Sequence, residues 1–216
     1  MLATAETADR PPRAAPAQAC VLGLLVLAWA AAVGAGIWML WRYANGPGPS
    51  GAAAAAWPGG SSLRPDPARP TLLLFLHPLC PCSRASVEEL DVLLARAKIR
   101  PAVKALFVRP PGLEPGQERQ GLWSSAAKIP GVELAVDADG VEARRFRAET
   151  SGHVLLFAPD GSLRFSGGIT SARGHAGDNA GVSLVLERLI DPTLIPAAAP
   201  VFGCLLFDDL CAEKNP

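Results

Sequence analysis

The sequence predicts an α/β domain: a central mixed sheet in the order β-α-β-α-β-α-β-β-α, preceded by one transmembrane helix. Three observations carry this expectation. Residues 19–41 (ACVLGLLVLAWAAAVGAGIWMLW) hold no charged side chain. Further on, short continuous apolar runs alternate with stretches of helical periodicity. The last two apolar runs are separated only by Pro159-Asp160-Gly161-Ser162, the composition of a hairpin turn.

Taken in order, residues 1–18 are polar and proline-rich and are expected to be disordered. Residues 19–43 follow as the membrane anchor, since such a run crosses a hydrocarbon core of ~30 Å at ~1.5 Å per residue. Trp38, Trp41 and Tyr43 gather at its far end, where amphipathic rings favour the interface. Ala28-Trp29-Ala30 resembles a signal-peptide cleavage site, but the apolar run continues past it, which favours an uncleaved anchor. Arg10 and Arg13 on the near side, against Arg42 alone on the far side, place the N-terminus inside. In a bacterium this is a single-pass inner-membrane protein with its domain in the periplasm. Residues 44–68, rich in glycine, alanine and proline, read as a flexible linker.

The domain is expected over residues 69–190. Residues 71–76 (TLLLFL) form a strand covered on both faces, ended by His77-Pro78. From Ser83, the spacing of Val87, Leu90, Leu94 and Ala97 gives an amphipathic helix. Residues 102–108 are the second strand, residues 118–128 a weak helix and residues 132–136 the third strand. A short helix carrying Phe146 spans residues 141–148. Strands at 153–158 and 163–166 flank the hairpin turn, and Asp178 is the expected cap of a last helix burying Val182, Val185, Leu186, Leu189 and Ile190. Helices between strands imply parallel pairing, with the final hairpin adding an antiparallel edge. Residues 191–216, interrupted by Pro192, Pro196 and Pro200, form an extended tail.

The 20 basic side chains balance the 20 acidic ones, so nothing points to nucleic acid as a partner. The 5 cysteines are too few for a disulfide scaffold and leave a redox or metal pair to explain. Cys80 and Cys82 lie at the start of the helix that follows the first strand, where backbone N–H groups and the helix dipole stabilise a thiolate. Cys80, nearer the strand end, is expected to be the better exposed and to act as nucleophile. Exchange needs a second thiol. Cys82 supplies it at the cost of a small strained ring; Cys204 supplies it if the tail folds back over the site. Cys204 can instead pair with Cys211 as a staple. Cys20 reads as a small apolar residue, His77 as a solvated turn residue and His175 as part of a flexible glycine-rich loop.

The element order, with cysteines between the first strand and its helix, resembles the thioredoxin superfamily. It is more closely similar to the membrane-tethered thiol-disulfide proteins of the TlpA, ResA and peroxiredoxin-related branch. VDADGVEARRFRAETSGHVLLFAPDGSLRFSGGI is similar to that branch's run of turn, helix, strand, DG turn and strand, and HPLCPCSRA is similar to the stretch in anchored thioredoxin domains labelled RedB. The resemblance covers about residues 69–190. It implies thiol-disulfide exchange with protein thiols or disulfides and no cofactor. Two departures stand out. Only Pro81 separates the cysteines, so Ser83 takes the place of the family's second cysteine, and Ser151-Gly152-His153 stands where the family has a cis-proline. In that position His153 is expected to face the cysteines. The alternative is a Cu(I) site on the soft thiolates of Cys80 and Cys82, with His77, His153 and the tail cysteines available as further ligands and His153 the favoured non-thiol one. Sco-type copper proteins use this fold with a cysteine pair and a histidine, although their pair is spaced differently. A peroxidase with Cys80 as its reactive thiol ranks last, because the peroxiredoxin threonine and proline are missing.

Overall fold

The computed structural model describes residues 16–207, in two units that divide after Tyr43. In the first, α1 runs Pro16–Asn45, slightly beyond both expected ends. Its Gln18–Asn45 portion is long and apolar enough to cross a membrane, ~42 Å at ~1.5 Å per residue.

The second unit is organised on a six-stranded sheet in the order β3-β2-β1-β4-β5-β6. The strands are β1 (Thr71–Leu76), β2 (Ala102–Arg109), β3 (Val132–Ala138), β4 (His153–Phe157), β5 (Leu163–Gly168) and β6 (Ala197–Ala198). The helices are α2 (Ser83–Arg96), α3 (Leu122–Ala126), α4 (Val141–Arg145) and α5 (Ala180–Ile190). β1 is apolar throughout because both its faces are covered. Leu72, Leu74 and Leu76 pack with Val87, Leu90 and Leu94 of α2 and Val182, Val185 and Leu189 of α5. Leu73 and Phe75 point the other way, into a second cluster with Phe146, Leu155 and Phe157.

β1, β2 and β3 are parallel, as the intervening helices require, but β4 runs antiparallel to β1. The uniform parallel pairing expected up to the hairpin fails here for a reason of length. A parallel entry would carry the chain back along a seven-residue strand, about 23 Å. The five-residue α4 spans only about 7.5 Å. The chain therefore crosses the same end of the sheet and enters β4 from there. The hairpin is also not the edge, since β6 adds a parallel strand outside β5.

Other differences are local. The helix expected over 118–128 divides into a single 3₁₀ turn, Gln117–Arg119, and α3, with Gly121 between them at φ 28°. α5 begins after Asn179, and Asp178 is not its cap. Asn179 instead turns its Oδ1 to the Ser171 backbone N–H at 2.7 Å, closing the preceding loop.

The segment read as a flexible linker is docked on the domain. Trp57 sets its ring 5.1 Å from that of Phe146 and 5.0 Å from that of Phe157. Ser61 is buried and donates to the carboxylate of Glu142, which also takes the backbone N–H of Ser62 at 3.0 Å. Leu163 donates to Ala55, and Trp57 to Gly161. This strap shields the sheet face opposite α2, which is why a low-complexity composition still acquires order. The tail also returns. After β6, Gly168 donates to Pro200, and Thr150 bridges Leu205 antiparallel.

Candidate functional site

The site is built at the C-terminal end of β1. The strand stops at His77-Pro78, and a turn in which the Cys80 N–H bonds the His77 carbonyl (3.1 Å) leads to Cys82 at the cap of α2. On the other side, the approach to β4 passes through Thr150, Ser151 and Gly152. Ser151 donates its N–H to the Cys204 carbonyl at 2.8 Å, and Leu206 donates to Glu149 at 2.8 Å. These bonds lay the tail against the segment before β4 and carry Cys204 to the start of α2. The fit requires glycine on both sides. A Cβ on Gly203 would collide with the Ser151 carbonyl, and one on Gly152, which sits at φ +91°, would lie 2.7 Å from Ser86 Oγ.

Cys80, Cys82 and Cys204 thereby meet, all three sulfurs lying within 4.8 Å of one another. Cys80 is 3% exposed, while Cys82 and Cys204 are half-buried. This reverses the expected order of exposure: the tail covers the residue nearest the strand. The Cys80 thiol is held far below the ordinary thiol range, first by the hydrogen bond from Cys204, then by that from Cys82, against the opposing effect of burial. The Ser83 hydroxyl and the Cys204 backbone N–H contribute further donors. For Cys82 the largest influence, the Cys204 thiol, favours its thiolate. It is outweighed by the hydrogen bond to Cys80, by burial and by the charge on Cys80, so Cys82 is held up. The Arg173 guanidinium acts on Cys82 in the opposite sense and also bonds the Gly203 carbonyl.

A line of hydroxyls stands behind Cys80. Ser83 Oγ and Ser151 Oγ are 2.6 Å apart, and Ser151 Oγ accepts the His77 N–H at 2.7 Å. When Ser151 donates to Ser83, the Ser83 proton points at Cys80. Ser83 and Ser151 occupy the two positions at which the sequence departs from the thioredoxin pattern. That departure was the available signal for them. Arg173 carried no such signal.

The histidines are placed differently from expectation. His153 is not one of the sulfur group. It lies on the sheet face of Leu155 and Phe157, opposite α2, fully buried with Nε2 2.9 Å from Ser166 Oγ. Burial pushes it down to about 4. The expectation that it faces the cysteines assumed that the pre-β4 position points at α2, and it is Ser151 that does so. His77 is 1% exposed rather than solvated, and its Nδ1 accepts the Leu79 N–H at 3.2 Å. His175 is exposed in the 171–179 loop, which Glu89 ties down through the Gly177 N–H. Cys20 is exposed on α1. The alternative pairing of Cys204 with Cys211 lies outside the described residues. A cleft of about 800 Å³ between Gly51, α4 and Leu205 includes no cysteine among the described residues.

No family model and no curated protein matches the chain. Solved structures do. A hypothetical protein from Sinorhizobium meliloti 1021 aligns with a TM-score of 0.53 at 16% identity, over 73% of this chain and 96% of its own. An uncharacterized conserved protein from Geobacillus kaustophilus aligns at 0.52 and 16% identity, over 80% of this chain and 94% of its own. A secreted Mycobacterium tuberculosis disulfide oxidoreductase, described as homologous to E. coli DsbE, aligns at 0.40 and 17% identity, over 56% and 81%. The chain has a thioredoxin-like fold: β1 is central, parallel to β2 and antiparallel to the first strand of a terminal hairpin, with the cysteines entering the helix after β1.

Proposed function

We propose that the protein is a membrane-anchored, extracytoplasmic thiol-disulfide exchange protein in which Cys80 is the nucleophile. The observation that carries this reading is the gathering of three cysteine sulfurs within 4.8 Å at the start of α2, with Cys80 accepting from both of the others. The apolar helix Gln18–Asn45 supports the anchor. Protein thiols and disulfides are the partners.

In the exchange, the Cys80 thiolate attacks one sulfur of a partner disulfide. That S–S bond breaks, the other partner sulfur leaves as a thiolate and takes a proton, and a mixed disulfide remains on Cys80. Bonding removes the negative charge from Cys80. Two of the influences that hold Cys82 protonated then vanish, while the Cys204 thiol and Arg173 still favour its thiolate. Cys82 loses its proton and attacks the Cys80 sulfur, releasing the second partner thiol and leaving a Cys80–Cys82 disulfide. The partner gains two electrons and this chain loses two; the reverse sequence oxidises a partner dithiol. Because the tail covers Cys80, the partner enters as residues 203–205 lift between the buried Val201 and Leu206.

Trapping tests this. Cys82→Ser in the full chain is expected to accumulate mixed disulfides that a reductant releases. The added change Cys80→Ser is expected to abolish them. Equal trapping with and without Cys80 would refute the assignment.

A further inference from the structure

We propose that Cys80, Cys82 and Cys204 also form a three-coordinate thiolate site for one Cu(I) ion. The proposal rests on the same sulfurs as the exchange reading but not on its redox cycle. Three sulfurs around a metal at bonds of about 2.3 Å stand about 4 Å apart, a spacing the cluster reaches with small side-chain rotations.

The donor set selects the metal. Among the described residues no histidine, aspartate or glutamate joins the group. His153 is turned to the opposite sheet face, and His77 Nδ1 is engaged by the Leu79 N–H. A structural Zn(II) site requires a fourth ligand, and calcium or magnesium requires oxygen. Soft thiolates in low number suit Cu(I). Of the further ligands the sequence offered, His153 is thereby removed and a tail cysteine, Cys204, is the one in place.

The surroundings match the charge such a centre carries. Three thiolates with Cu(I) leave a net charge of about −2, which an uncompensated buried site would not sustain. Arg173 acts on Cys82, and the Cys204 backbone N–H points at Cys80. The start of α2 adds its own positive end. Binding displaces the remaining thiol protons to solvent, with no change of oxidation state. Cys80 is buried while the other two sulfurs are half-buried, so the ion would be closed off behind and reachable from the tail side.

The test uses the full chain in detergent, with Cys20 and Cys211 replaced by serine, reduced and held without oxygen. Cu(I) alone is titrated in competition with a chromogenic Cu(I) chelator. One equivalent is expected to bind, with three sulfur neighbours by X-ray absorption. Cys80→Ser, Cys82→Ser and Cys204→Ser are each expected to weaken binding on the order of a hundredfold or more, beyond the ~10–100-fold contributed by groups behind a metal ligand. His153→Gln is expected to leave affinity unchanged. Affinity indifferent to Cys204→Ser, or falling equally with His153→Gln, would overturn the site. The two readings fail separately. Absent copper binding with intact trapping through Cys80 removes this proposal alone, and absent trapping with cysteine-dependent copper binding removes the exchange reading alone.

Discussion

Residues 48–63 and residues 199–206 both run outside the main strands and helices and both return to the sheet, but they differ in what lies between their buried anchors. The strap sets a tryptophan against the contacting rings of Phe146 and Phe157 and hands two serines to a buried glutamate. The tail is fastened by the fully buried Val201 and Leu206 and by backbone bonds to Ser151, Glu149 and Gly168, with glycine where its backbone closes on Ser151. A segment held by ring burial stabilises whatever it covers. The stretch between the tail's two buried anchors leaves Cys204 half-buried and Leu205 exposed, so it can open, and it carries a thiol. The difference separates a structural end of the domain from a chemical one.

The comparison is sharpest at Trp57. Trp57→Ala is expected to cost about 3 kcal/mol in urea unfolding followed by circular dichroism, through lost burial and edge-on ring contacts. Alkylation of Cys204 under native conditions should be unchanged; a matching rise in its reactivity would show that strap and tail are one unit. His153, on the face the strap covers, gives a pH signature. Its folded-state value is about 4 against the ordinary 6.5, so the unfolded chain binds the extra proton between these values. Stability is fully present above about 6.5 and is lost as pH falls toward 4, by roughly 3 kcal/mol. His153→Gln should flatten urea unfolding over that window, and an unaltered pH profile would contradict the burial assigned to the imidazole.

Gly203→Ala reverses the Trp57 pattern. The new Cβ meets the Ser151 carbonyl, so the tail should lift and Cys204 alkylation accelerate about tenfold or more, equivalent to ~1.4 kcal/mol in closing, while unfolding changes little. Glu142→Gln is the mildest. Weakening its bonds to Ser61 and Ser62 should cost about 1 kcal/mol in the same unfolding measurement and leave every thiol as it was.

The parts legible in the sequence were those set by local pattern. β1 follows from six apolar residues, α2 from the spacing of Val87, Leu90 and Leu94, and the hairpin from its DG turn. The direction of β4 was not legible, because it depends on how far α4 can carry the chain. The strap was hidden by its composition: Trp57 stands among alanines, prolines and glycines, and its partners are some ninety residues away or more. At the site, the turn holding Cys80 and Cys82 could be read from neighbouring residues, and the return of Cys204 could be posed as one option of two. The contacts of Ser83 with Ser151, and of Arg173 with the tail, join segments far apart in the chain and leave no periodic trace. His153 shows the limit of alignment by resemblance: β4 begins at His153, and Gly152 at φ +91° breaks the alternation, so Ser151 and His153 stand two apart without sharing a face.

Thiol mapping of the full chain tests the central claim most directly: alkylation before and after reduction, across a series of glutathione redox buffers, read by peptide mass spectrometry. The account predicts a disulfide that forms and reduces reversibly, joining Cys80 to Cys82. Cys80 remaining an unpaired thiol throughout the series, with any disulfide confined to other cysteines, would contradict it.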